Sequence, residues 1–409
     1  MMTQPMRKSL LTALALRISV LSRSAVSAKP SAWITWTFLA ITLWLMGTSP
    51  AQAQLQLRVA IKENVGSVEI GSSTPALIRN ESGQVISQLT AQSAVIVRPT
   101  TGGLMLQNLK AGQFWLEPTA GGFVWIGNSW YRGRVQVLPG KSGVVAVNHV
   151  DLEEYLYSVL GAEMGANWPQ EALKAQAVAA RSYALYQREH YGNPIYDVGD
   201  TQAWQVYKGV ASESINTQMA VNATAGQVLV QNGQIIEAVF HSSSGGYTDN
   251  SENVWTKPVA YLRGVPSYDE GAPGANWSVT MSSEELSARI TGVGRVRALV
   301  PERVTPFGRV ITMRVVGDAG VRILSGEAMR NALGLRSTRF VVAAIGNEGS
   351  TKRGGQAAST RFQIVGTGFG HGLGMSQWGA YNLAQRGFTY QQIVQHYYQG
   401  ATLAKIEVQ

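Results

Sequence analysis

The 409-residue chain contains no cysteine. That excludes disulfides, thiol nucleophiles and thiolate metal sites. Histidine is scarce too: His149, His190, His241, His371 and His396 are scattered, and no H-E-x-x-H occurs. Catalytic zinc usually takes three protein ligands, so spacing offers no zinc site. Nucleotide-binding loops are also absent. The glycine-rich stretch 366–374 has His371, Leu373 and Met375 where G-x-G-x-x-G needs glycine, and G-x-x-x-x-G-K-[ST] does not occur. No S-x-x-K exists, and no G-x-S-x-G surrounds Ser242, Ser243 or Ser244, which leaves a nucleophilic serine without a base placed by motif. Beyond residue 53 no apolar run approaches membrane-spanning length.

The first 53 residues stand apart. They hold Arg7, Lys8, Arg17, Arg23 and Lys29, no acid, an apolar stretch over 32–46 and an A-x-A pattern at 51–53. This predicts a secretory signal, with an uncleaved anchor as the alternative. The chain has formal charge +9, from 34 basic and 25 acidic residues. Five of the cations lie in the leader, leaving 29 against 25. So mild a balance, with no basic run interleaved with aromatics, argues against nucleic acid. The remaining length can bury a core without covalent staples.

What is present is concentrated in 151–186, DLEEYLYSVLGAEMGANWPQEALKAQAVAARSYALY. Leu152, Tyr155, Leu156, Val159 and Leu160 form one apolar stripe at helical spacing, opened by a capping-box pair, Asp151 and Glu154. Gly161 and Gly165 bracket a break that holds Glu163. A second, alanine-rich helix follows Pro169, with Lys174 and Arg181 seven apart on one face. A corner acid beside two cations suits a site, although spacing alone favours a solvated loop acid. Glycosidic cleavage needs a general acid in an apolar setting, and one carboxyl suffices if the sugar's own hydroxyl attacks. Lys174 and Arg181 would hold carboxylates of the substrate, but their nearness would also lower the pKa of Glu163. Trp204, Trp255 and Trp378 are candidate sugar platforms or core.

The predicted fold is α+β: a β-rich region over 54–140, then a mixed α+β domain over 141–409 built on the helix pair. Short alternating runs separated by Gly, Asn and Pro turns fill 55–140. Asn232-Gly233 predicts a hairpin between strands at 226–231 and 234–240. Segment 278–345 mixes short helices and strands, 346–360 reads as a polar, disordered loop, and helices end near 386 and 398.

These motifs resemble the SpoIID/LytB family of stage II sporulation protein D and amidase-enhancer proteins. The resemblance rests on the helix pair and, in order, YDVGDTQAWQVYKG, FHSSSGGYTDNSENVW, YLRGVPSYD, LSGEAMRNALGLRSTRF and GFGHGLGMSQWGAYNLAQRGFTYQQIVQHYY, over about 144–402. It implies a peptidoglycan-directed protein. Sporulation members are lytic transglycosylases that cut strands stripped of stem peptides and leave 1,6-anhydro ends. Others enhance a cell-wall amidase by binding. The family's catalytic glutamate corresponds to Glu163, its functional cations to Lys174 and Arg181, and Tyr398 or Tyr397 to a closing tyrosine. His241, His371, Gln377 and Tyr398 join Lys174 and Arg181 in the expected substrate-binding set. Many members have cysteines near Y-D-V, some holding zinc. The matching positions here are Gly199 and Trp204, so neither metal nor cofactor is expected. The implied partners are glycan strands and, in the alternative, an amidase. The implied location is the periplasm or cell envelope, with membrane contact only through an uncleaved leader.

Overall fold

The computed structural model describes residues 55–255, 257–345 and 360–407, together with the strand Arg17–Ser19. The expected secretory leader, that strand apart, and the 346–360 loop up to its last residue lie outside the described residues. The fold is α+β, as the sequence predicts.

The β-rich region forms two sheets. One runs Val198–Gly199, Gln56–Val65, Gly143–Asp151, Arg134–Gly140, Phe114–Pro118, Ala76–Arg79, Val85–Leu89. The other runs Ser129–Tyr131, Val124–Ile126, Val68–Ser72, Ser93–Thr100, Gly103–Leu106, Leu109–Ala111. Burial alternates along the strands, as in Arg134–Gly140, where Val135 and Val137 face inward. Inward residues of both sheets, such as Ile70, Leu104, Phe114 and Val137, belong to one continuous core that also takes in the helix pair. The hairpin pairing Gly140 with Gly143 carries the chain from the β-rich region into that pair without leaving the sheet.

Helix α1 spans Leu152–Glu163. Asp151 caps it by accepting from the backbone N–H groups of Glu153 and Glu154. The reciprocal half of the expected capping box is not formed, because Glu154 faces Arg132 at 3.7 Å. Helix α2, Gln170–His190, buries Ala172, Ala175, Ala177, Ala179, Ala180 and Ala184 completely. Small side chains let α1, α3 (Ile215–Ala223) and the strand Gln227–Gln231 approach it closely. Asn232 and Gly233, both at positive φ, make the expected tight hairpin turn. The predicted second strand is shorter than expected: Gln234–Ile235 pairs there, and Phe240–His241 leaves to pair in parallel with Met375–Ser376.

After α4 (Ser251–Val254), residues 276–345 and 360–367 form their own core around Leu286, Met313, Met329 and Ile364. Helices α5 (Ser283–Arg289) and α6 (Gly326–Leu333) pack there beside two three-stranded sheets. The chain then returns to the first core through α7 (Gln377–Gln385) and α8 (Tyr390–Tyr397). A final strand, Thr402–Glu407, joins Gln227–Gln231. No helix among the described residues is long and apolar enough to cross a membrane.

Candidate active site

Glu163 is the last residue of α1 and reaches a cleft of about 800 Å³. Gly161 presses this end of the helix against the chain at Ser212, where a Cβ would lie 1.7 Å from the carbonyl oxygen. The helix stops because Met164 turns extended and buries its side chain, so the carboxyl faces open space. One carboxyl oxygen accepts the backbone N–H of Val206 at 2.9 Å. The other lies 3.5 Å from the Gln377 amide nitrogen. Burial pushes the carboxyl above its ordinary range, against the lowering effects of Val206, Gln377 and Lys208. Its place at a helix C-terminus acts in the same direction as burial.

The opposite wall is the segment 239–244 laid against 369–377. His241 and His371 line it, with ring centroids 5.1 Å apart. Each has both ring nitrogens occupied by the protein. His241 donates from Nδ1 to the Leu373 carbonyl at 3.0 Å and accepts the Ser244 hydroxyl at Nε2, 2.7 Å away. His371 donates from Nε2 to the Phe240 carbonyl at 3.0 Å and accepts the Leu373 N–H at Nδ1, 3.1 Å away. Burial drives His241 well below the usual histidine range and His371 to about 4, so both stand neutral. The glycines of 366–374 serve this wall. A Cβ on Gly370 would come within 2.6 Å of His241 Cβ, and one on Gly372 within 2.0 Å of the Arg309 guanidinium carbon. The close approach is thus to the protein's own side chains.

Asp269 ties the wall together. Buried, it accepts the backbone N–H groups of Ser244, Gly245 (3.0 Å) and Gly246 (2.8 Å) and the Ser376 hydroxyl (3.2 Å). Asp269→Asn keeps the shape and removes one acceptor position. It should cost about 2 kcal/mol, the penalty for a buried donor left unpaired, read as a lowered urea midpoint with an unchanged slope.

The expected site residues divide. Glu163, His241, His371 and Gln377 converge on the cleft, and Trp204 and Trp255 line it. Lys174, Arg181 and Tyr398 do not. Lys174 donates to Glu171 at 2.7 Å and lies over the Tyr390 ring, tying α2 to α8. Arg181 is wholly buried against Glu153 and the Gln227 carbonyl. Tyr398 is wholly buried, and its hydroxyl donates to the Val239 carbonyl at 2.8 Å, behind the wall. Trp378 packs at tilted angles against Trp168 and Tyr381, with ring centroids 4.8 and 5.1 Å away, and does not line the cleft. The expected lowering of Glu163 by Lys174 and Arg181 does not arise. The cation acting on Glu163 is Lys208, and its effect is smaller than that of burial.

Sequence reasoning did not find Lys208, Tyr183, Glu237 or Arg330, all of which line the cleft. Burial raises both Tyr183, to about 12, and Glu237. Tyr183 stands on α2 among the alanines, a periodic signal that could have marked it. The other three lie on separate segments with no local pattern.

At the two positions that the resemblance pairs with metal-binding cysteines, Gly199 packs on Trp204: a Cβ at 199 would lie 2.8 Å from the indole Cδ1. Neither residue offers a metal donor, so these residues do not fit zinc. This loop is fastened by indole packing and by the Arg58–Asp197 ion pair at 2.7 Å.

Fold and site together define an α+β protein with the Glu163 carboxyl presented at a helix corner, in a cleft that Glu237 also lines, facing a glycine-rich wall. Comparison with known proteins gives the family. Residues 140–231 match the SpoIID family model, described as stage II sporulation protein, and 272–374 match a domain of unknown function. Stage II sporulation protein D of Bacillus subtilis is 35% identical over 284 residues, 64% of this chain and 77% of the relative. An uncharacterized protein of Brachyspira hyodysenteriae is 30% identical over 328 residues, 78% of this chain and 84% of the relative. The amidase enhancer of Bacillus subtilis is 31% identical over 61% of this chain and 40% of its own length. The chain belongs to the SpoIID/LytB family.

Proposed function

We propose that this protein is an exported, cell-wall-directed lytic transglycosylase that cleaves peptidoglycan glycan strands, with Glu163 as general acid and then general base. The observation that supports this reading is the Glu163 carboxyl itself: held by Val206 N–H and Gln377 at the edge of a sugar-sized cleft, with burial favouring its protonated form. Protonated Glu163 gives its proton to the glycosidic oxygen as the C1–O bond breaks. The resulting carboxylate then takes the proton of the same sugar's C6 hydroxyl, whose oxygen bonds to C1. Atoms balance without water, and the product carries a 1,6-anhydro ring. Trp204 and Trp255 offer aromatic faces for sugar rings. His241 and His371 have no free ring nitrogen and shape the wall rather than exchange protons.

Incubation of the full chain with glycan strands freed of stem peptides, followed by mass analysis, tests the reading. Fragments lighter by one water than hydrolysis products are expected. Reducing-end fragments, or none, would overturn it.

A second reading, suggested by the relative named amidase enhancer, is a glycan-binding activator of a cell-wall amidase. It predicts no fragments from the protein alone, and faster peptide release when an amidase is added.

A further inference from the structure

The second carboxyl of the cleft, Glu237, has no part in the reaction proposed for Glu163. Its neighbours Ile236 and Ala238 are buried, and its backbone N–H donates to the Tyr261 hydroxyl at 3.1 Å, which fixes it in the cleft wall. One carboxyl oxygen accepts the Gln187 amide at 3.1 Å. The other has no donor among the described residues, and no arginine or lysine pairs with the group. Elsewhere the protein meets enclosed carboxyls with arginine: Glu153 with Arg181, Glu213 with Arg132 and Asp197 with Arg58.

What surrounds Glu237 is aromatic. Tyr183 and Phe240 line the cleft with it, their rings edge to face with centroids 6.3 Å apart. The charge of Glu237 is felt at Tyr183, Tyr186 and Tyr261. Among the described residues the Tyr183 hydroxyl has no hydrogen-bond partner. The two cations that line the cleft act on other acids. Lys208 is felt at Glu163, and Arg330 donates to Glu327 at 2.8 Å. The charged neighbour felt at Glu237 is His190, which is exposed and stacks on Tyr186 at 3.9 Å.

An open carboxyl oxygen, an open hydroxyl and aromatic faces together suit a primary ammonium. It has three N–H donors to satisfy and a positive charge that π-faces attract. An acetamido group offers one N–H and no charge, and a carboxylate would be repelled. A bound ammonium would also supply the opposite charge that Glu237 lacks and draw it to its ionised form.

We infer that Glu237, Tyr183 and Phe240 form an ammonium-binding subsite of this cleft, which takes a wall-polymer unit carrying a free primary amine. That amine belongs either to a hexosamine without its N-acetyl group or to an amino-acid side chain of a stem peptide. The inference rests on the cell-wall reading above and gives it a specificity.

The test is calorimetry on the full chain with Glu163→Gln, so that ligand survives, using two ligand pairs. One pair is chitotetraose with a single deacetylated residue against fully acetylated chitotetraose. The other is a muramoyl tripeptide with a lysine side chain against its Nε-acetylated form. An amine-bearing ligand should bind about 10-fold tighter than its acetylated partner, the gain from one charged hydrogen bond. The pair that shows the preference identifies the source of the amine. Glu237→Gln should bring the ratio to about 1. Tyr183→Leu should lower it about 3-fold, and Tyr183→Phe, which keeps the aromatic face, should lower it less. Glu189→Gln removes an exposed acid of α2 that does not line the cleft and should leave the ratio unchanged. Thermal midpoints confirm the fold of each variant. A ratio near 1 for both pairs, no binding, or a preference that survives Glu237→Gln overturns the inference. If the preference depends on Glu237 but the Glu163-intact protein gives no anhydro ends, the transglycosylase reading falls and this one stands. Anhydro ends formed from acetylated strands, with a ratio near 1 for both pairs, overturn this one alone.

Discussion

Glu163→Gln should reduce release of anhydro-ended fragments by about 10²–10⁴-fold, the span that a positioned acid–base group supplies. Glycan affinity should change little, since glutamine keeps the volume and can still accept the Val206 N–H at the position now 2.9 Å away. The pH dependence follows from the raised pKa. The group must be protonated to act first as an acid, so the alkaline limb of kcat/KM should fall as pH passes the elevated Glu163 value. The groups around it are few. Burial outweighs Val206, Gln377 and Lys208, which pull the value down, and the buried Tyr155 and half-buried Tyr183 feel its charge. Stability should show the same group. A carboxyl with a folded value above its ordinary 4.5 holds its proton more tightly when folded. Its contribution is therefore fully present below the unfolded value and is lost as pH rises toward the folded one. Relative to wild type, the glutamine variant should melt higher at pH 7.5, and the gap should close toward pH 4. A lower melting point at pH 7.5 with unchanged product release would remove Glu163 from the catalytic role.

Arg181→Met should cost about 3 kcal/mol of stability, the lower end of the loss caused by removing one partner of a buried ion pair. The guanidinium is wholly buried. Its Nε lies 2.9 Å and its Nη2 2.5 Å from the two Glu153 oxygens, and its Nη1 donates to the Gln227 carbonyl at 3.0 Å. Glu153 also accepts the Gly226 N–H at 3.1 Å. One arginine thus joins α1, α2 and the strand Gln227–Gln231. Methionine would fill the volume but leave Glu153 and a buried carbonyl unpaired. Lysine would not rescue, lacking the planar fork. Adding Glu153→Gln should recover part of the loss. Urea unfolding measures the effect. The protein that stays folded should bind glycan as wild type does, because Arg181 does not line the cleft. Weakened glycan binding at unchanged stability would instead return Arg181 to a substrate-binding role.

The helix pair was legible because its signals are local. Apolar spacing set α1, Asp151 capped it, Pro169 restarted the chain, and Gly387 at positive φ closed α7. The Asn232-Gly233 turn was legible for the same reason. The strand expected over 234–240 was less so, since parallel pairing of Phe240–His241 with Met375–Ser376 depends on a segment far along the chain. Spacing put Lys174 and Arg181 on one face of α2, but spacing has no sign. Only packing shows that this face meets α8, Glu153 and the Gln227 strand rather than substrate.

By itself the sequence determined the α+β class, the exclusion of thiol chemistry, and the placement of one acid at a helix corner. Each follows from composition or from contacts within a few residues. Only the tertiary structure decided what faces that acid. The loop carrying Val206 and Lys208, Gln377 at the start of α7 and Arg330 on α6 are separate along the chain, and their meeting depends on how two cores and a glycine-rich wall close around the cleft. The protonation of Glu163 is also a tertiary property, because water exclusion is set by the whole surrounding chain and not by its neighbours in sequence.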